Sequence, residues 1–112
     1  MAIVSSHILD SVTGRSAAGI RCQLLRIGSN AQRDVIFDVI ADAEGRIHET
    51  LAVSEQDLGS EYELVFHAAD YFQADAATVP VVVLRFLMHD PERRYHLPLM
   101  LAPHSYSTWW SE

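Results

Sequence analysis

Short apolar runs with a two-residue period, each ended by turn-forming residues, recur along the chain and point to a mostly β fold. GIRCQLLRI alternates over part of its length, DVIFDVIAD is rich in Val and Ile, and EYELVFHA puts Tyr62, Leu64 and Phe66 on one face. PVVVLRFLM and YHLPLML carry the same signature, and IGSN, DAEG and HDPE supply Gly-, Asp- and Pro-containing turns. Strands of this kind bury one face against another layer, so the expected architecture is an all-β sandwich. SSHILDSVTG at the start and the last residues would each add a strand. AADYFQADA is the one helical segment of the second half, favoured by its alanines but too short to stand alone, and SEQDLGS reads as one helical turn or a loop.

With 112 residues, 49% of them hydrophobic, and no Pro/Gly-rich linker or repeat, the chain is expected to form one domain over 1–112. A formal charge of −7 and a pI near 5.2 argue against nucleic acid or an anionic membrane as partner, since both call for a basic face. A small molecule or another copy of the chain fits better. MAIVSSHILD has no basic segment followed by an apolar run, and no stretch approaches the ~20 apolar residues of a membrane span, so a cytoplasmic location is expected. The single Cys22 is expected to pack as a small apolar residue. VVVLRFLM is apolar on both faces, which predicts either cover by another subunit or a strand fully buried within the chain.

Three of the six histidines stand in strand-like or turn-like sequence: His7, His48 and His96. Imidazole accepts or donates a proton near pH 7, so paired histidines are natural acid/base partners, whereas a lone one is usually idle. No H-E-x-x-H or Cys/His spacing suggests a metal, no G-x-S-x-G elbow a serine nucleophile, and no Gly-rich loop a phosphate. Neither metal nor cofactor is expected.

SSHILDSVTGRSAAGI, AEGRI, and YELVFHAADYF through VPVVVLRF to YHLPLMLAPHSYST together resemble the transthyretin-like 5-hydroxyisourate hydrolase family over nearly the whole chain. That pattern has a His followed by an aliphatic-Leu-Asp triplet, a Gly-x-Pro-Ala-x-Gly turn, a Gly-Arg after an acidic residue, a His-x-Pro-Leu-like strand and a Tyr-Ser-Thr-Tyr-Arg-Gly-Ser tail. The resemblance implies two four-stranded antiparallel sheets, one short helix, and a homotetramer built as a dimer of dimers. It also implies a catalytic role for His7, Arg46 and His96 in a cleft between dimers, where 5-hydroxyisourate is hydrolysed without metal or cofactor. The chemistry suits these residues: two histidines move protons between water and a leaving ring nitrogen, and a guanidinium stabilises charge on a carbonyl oxygen.

Two departures stand out. Ser16 replaces the Pro of the opening turn, and Trp109, Trp110, Ser111 and Glu112 replace the terminal Tyr-Arg-Gly-Ser. Through the resemblance, Tyr106, Ser107, Thr108, Trp109, Trp110 and Glu112 are expected at the substrate. Exchanging Arg for Trp removes a fixed positive charge and leaves a broad ring with one N–H donor. Beside 5-hydroxyisourate hydrolysis, the tail therefore allows a paralogue acting on a more aromatic heterocycle, or a small-molecule-binding protein without turnover. Trp109 and Trp110 could also simply pack across a subunit interface.

Overall fold

In the computed structural model, residues 1–73 and 78–110 are described, and β1 (Ala2–Asp10) organises the first of two sheets by pairing along both its edges. On one edge β5 (Arg46–Leu51) runs antiparallel beside residues 2–7, and β2 (Arg15–Ser16) continues the line beside Leu9 and Asp10. On the other edge β8 (Arg94–His96) and β9 (Leu99–Ala102) run parallel to β1, opposite Ile3–Ser5 and Ile8–Asp10. Pro98 stands between β8 and β9; without an N–H it cannot extend the ladder, although Leu97 still donates to the Ser5 carbonyl at 2.9 Å. β10 (Ser105–Thr108) closes this sheet antiparallel to β9. The parallel pairs arise because the chain crosses over from the second sheet before returning beside β1.

The second sheet is antiparallel throughout, in the order β4 (Arg33–Ile40), β3 (Arg21–Ile27), β6 (Glu61–Phe66), β7 (Val82–Leu87). Tyr62, Leu64 and Phe66 share its inner face as their spacing predicts, and pack with Val4 and Ile8 of β1, Leu24 of β3, and Leu99 and Leu101 of β9 in one core. Full burial of each such Leu, Ile or Phe contributes about 1.5–3 kcal/mol, so this inner layer dominates the stability. Cys22 lies in the core, where burial above all, reinforced by the charge of Asp38, pushes its thiol up to about 12. It packs as an apolar residue.

β7 accounts for the run that is apolar on both faces. Val82 and Leu84 face the core, while Val81, Val83 and Leu87 are 40%, 43% and 45% exposed along a free sheet edge. Those exposures exclude full burial within the chain, and among the described residues no strand lies beyond β7. The helix α1 (Ala68–Phe72) is a single short segment ended by Gln73 at φ +52°; the rest of the helical expectation, 74–76, lies outside the described residues. SEQDLGS contributes a 3-10 turn, Glu55–Asp57. Tyr71 of α1 donates its hydroxyl to Asp10 at 2.9 Å, and the amides of Val12 and Thr13 donate to the same carboxylate at 2.9 and 3.1 Å. The Tyr71 bond ties the helix to the end of β1, and the two amide bonds fix the turn that follows that strand. Among the described residues no helix is long and apolar enough to cross a membrane.

Candidate active site

Alternation along β1 turns Val4, Ser6 and Ile8 inward and leaves Ile3, Ser5, His7 and Leu9 on the outer face of the sheet. Cross-strand register then gathers residues far apart in sequence onto that face. Arg46 of β5 is the direct partner of His7, and Ser5 is the direct partner of both His48 on β5 and His96 on β8. Directly paired residues project to the same side of a sheet, so three imidazoles and a guanidinium occupy two adjacent rows.

Arg46 owes its place to the turn before it. The Asp42 side chain accepts from the amides of Glu44 and Arg46, both at 2.9 Å, and the Gly45 amide donates to the Asp42 carbonyl at 3.0 Å. The Arg46 amide first, and then that of Glu44, hold the Asp42 carboxyl below its ordinary value. Gly45 has φ +70°, and a Cβ built there would lie 2.5 Å from the Ile8 carbonyl oxygen. Only glycine lets β5 approach β1 this closely, with the Ile8 amide donating to the Gly45 carbonyl at 2.8 Å. The Gly-Arg pair seen in the sequence is thus a backbone requirement followed by a chemical group.

His96 is the most constrained member. The Ser5 Oγ is 2.8 Å from its Nδ1, and Arg94 Nε donates to the same Oγ at 3.2 Å. Burial, followed by the charges of Arg94, Arg46 and His7, pushes the His96 imidazole below its ordinary value and so favours the neutral ring. His7 is half-buried, with its Nε2 3.5 Å from the Ser16 hydroxyl, while Arg46 and His48 are exposed. A chain of net charge −7 thus presents a locally basic, histidine-rich surface, suited to an anion or to a carbonyl oxygen acquiring negative charge. Among the described residues no group of three His, Cys, Asp or Glu is placed to hold a metal ion.

Ser5 and Arg94 are neighbours of the histidines that the motif reading passed over, and Ser16, noted there only in place of a proline, is a third. Strand periodicity is the signal that finds two of them: Ser5 precedes His7 by two residues and Arg94 precedes His96 by two, so each shares a face with its histidine.

The tail divides. Ser107 is the partner of Met100, itself the partner of Leu9, which puts Ser107 on the His7 face; Tyr106 pairs with Leu101 instead. Thr108 anchors β10 by donating to the Pro98 carbonyl at 2.7 Å. Beyond it the Trp110 ring meets Tyr95 at 6.2 Å between centroids, and the Arg93 guanidinium stands 5.0 Å from the Trp110 ring. With Thr108, Val83, Phe86 and Leu97, the two tryptophans line a cleft of about 400 Å³ beside β7. The chain therefore brings His7, Arg46 and His96 together and sets Trp109 and Trp110 against the open β7 edge. Glu112 lies outside the described residues.

A family model described as HIUase/Transthyretin family matches residues 4–110. The 5-hydroxyisourate hydrolase of Deinococcus radiodurans is 37% identical, with 95% of this chain and 92% of the relative covered. Among solved structures, Klebsiella pneumoniae 5-hydroxyisourate hydrolase is similar with a TM-score of 0.81 at 25% identity, covering 100% of both chains. Sea bream transthyretin in complex with thyroxine is similar with a TM-score of 0.82 at 26% identity, covering 96% of this chain and 93% of the other. The chain belongs to the HIUase/transthyretin family, and its kinship with hydrolases of that family extends over nearly its whole length.

Proposed function

We propose that this chain is a cytoplasmic hydrolase of purine breakdown that opens the ring of 5-hydroxyisourate, with His7, Arg46 and His96 as its reacting groups. The observation that carries the reading is the register that sets Arg46 directly across from His7 and His96 one row away, all on the outer face of one sheet. Water adds to a ring carbonyl carbon as an imidazole takes its proton; the carbon–nitrogen bond then breaks and the leaving nitrogen receives a proton. Arg46 holds the oxygen on which negative charge develops. A positioned acid/base is worth about 10²–10⁴ in rate, and a donor aimed at an oxyanion about 10²–10³. No cofactor enters these steps.

The outer face is open within one chain, so we assign its completion to a second copy facing it, in a homotetramer built as a dimer of dimers. Excluding water there would strengthen every charge interaction in the site. In that assembly Tyr106, Ser107, Thr108, Trp109, Trp110 and Glu112 serve the substrate pocket, with the paired tryptophans in place of the family's Tyr-Arg.

A second reading, a more aromatic heterocycle as substrate or a bound ligand without turnover, is favoured by one observation. Trp109 and Trp110 remain 48% and 49% exposed beside a cleft lined largely by apolar side chains. Purified protein added to freshly generated 5-hydroxyisourate decides between them. The first reading expects the absorbance decay to accelerate in proportion to protein; an unchanged spontaneous rate, with tryptophan fluorescence shifting on addition of aromatic ligands, would favour the second.

A further inference from the structure

We propose that Ser5, held by Arg94, fixes His96 as the neutral tautomer with its proton on Nε2, making His96 a hydrogen-bond donor to the substrate and leaving proton transfer to His7. This rests on the hydrolase reading for its chemistry but on hydrogen-bond geometry for its structural half.

A guanidinium has donors only, so the 3.2 Å contact from Arg94 Nε occupies a lone pair of the Ser5 oxygen. Ser5 is 2% exposed, and among the described residues its hydroxyl has one other partner, His96 Nδ1 at 2.8 Å. If Nδ1 carried the proton, the oxygen would accept twice and its own hydrogen would be buried without an acceptor. If Nδ1 is bare, the hydroxyl donates to it and every group is satisfied. The parallel pairing of Ser5 with His96 sets the two side chains beside each other on one face of the sheet. Nε2 is then the nitrogen left for a ligand.

The charges around the ring agree. Arg94 is close on β8, and the Arg46 and His7 side chains share the face and disfavour an imidazolium at His96. A neutral imidazole is a poor source of a whole proton, because losing Nε2–H would leave an imidazolate. It is a good fixed donor to an oxygen that is becoming negative. The proton balance then closes through His7 alone: His7 takes a proton from water as oxygen attacks the ring carbonyl, and returns it to the ring nitrogen as the carbon–nitrogen bond breaks. Arg46 and His96 Nε2–H share the oxyanion. Ser5 and Arg94 are positioning residues, since neither is assigned contact with the reacting atoms.

The test is the tautomer itself, read without substrate by ¹⁵N NMR of the histidine side chains in the full-length protein at pH 7. The expected spectrum shows an unprotonated Nδ1 and a protonated Nε2 for His96. Ser5→Ala should give a mixture of both tautomers and lower kcat about tenfold with little change in KM, and Ser5→Thr, which keeps the hydroxyl, should restore both. Arg94→Met, should Ser5→Ala fail to fold, frees the hydroxyl to turn and is likewise expected to mix the tautomers. A wild-type His96 protonated on Nδ1, or a Ser5→Ala spectrum identical to wild type, overturns the proposal. Absence of hydrolysis with the expected tautomer present would instead overturn the reaction assigned to the site and keep the part given to Ser5.

Discussion

Replacing Gly45 by Ala should cost the fold more than any other glycine-to-alanine change in a turn of this chain, and should take the site with it. Two terms add. At φ +70° an alanine enters the left-handed region, which costs a residue with a Cβ roughly 1–2 kcal/mol. The new methyl would also stand 2.5 Å from the Ile8 oxygen and 3.0 Å from both the Ala17 nitrogen and the Ser16 Cβ, so the turn must retreat from β1. Retreat weakens the 2.8 Å bond from the Ile8 amide to the Gly45 carbonyl, worth about 0.5–1.5 kcal/mol. The sum is about 1.5–3.5 kcal/mol, or roughly 6–15 °C in Tm for a domain of this size. Gly19→Ala is the control, because Gly19 has φ +81° with nothing within 4 Å of a built Cβ. It should lose the conformational term alone. Thermal and urea unfolding followed by circular dichroism measure both variants. Equal destabilisation of the two would refute the claim that close approach of β5 to β1, and with it the placement of Arg46 opposite His7, depends on Gly45.

Asp10→Asn should remove about 1–2 kcal/mol by weakening the bonds from Val12, Thr13 and Tyr71, measured by urea unfolding. Burial alone would raise the Asp10 carboxyl, but the Thr13 amide, the Tyr71 hydroxyl and the Val12 amide outweigh it and hold it below its ordinary value. Its contribution is therefore complete above the unfolded carboxylate value and lost as pH falls through the lower folded one, and the acid-side loss of stability should shrink in the Asn variant. Cys22, buried and pushed up to about 12, should resist a thiol reagent in native protein and react fully in denaturant; rapid native labelling would contradict its place in the core. Grafting the family tail, Trp109→Tyr, Trp110→Arg, Ser111→Gly and Glu112→Ser, should raise kcat/KM for 5-hydroxyisourate, and no change would mean that the tail does not set specificity.

The sandwich is legible because strand periodicity is local. Tyr62, Leu64 and Phe66 announce an inner face two residues at a time, and the core forms where they point. The central place of β1 is less legible: SSHILD carries two serines that interrupt its apolar pattern, and both are buried, one donating to the Leu97 carbonyl and the other held between Arg94 and His96. Hydrogen bonds to distant strands satisfy them, and no local pattern encodes distant partners. The same holds for the site. His7, Arg46 and His96 could be selected by motif, but their meeting on one face follows from register between strands remote in sequence. Ser16 shows the limit in miniature: in the sequence it is only the replacement of a turn proline, yet its hydroxyl stands 3.5 Å from the His7 Nε2. The open β7 edge was half legible, since an apolar run on both faces signals cover of some kind without saying that the chain leaves one face bare.

The rate of 5-hydroxyisourate decay with His7→Gln, Arg46→Gln and His96→Gln, each compared with wild type at equal concentration of folded protein, tests the central claim most directly. Each variant should retain the wild-type melting transition within a few degrees and lose about a hundredfold or more in kcat/KM. A folded variant at any of the three positions that hydrolyses the substrate within threefold of wild type would contradict the assignment of this face as the active site.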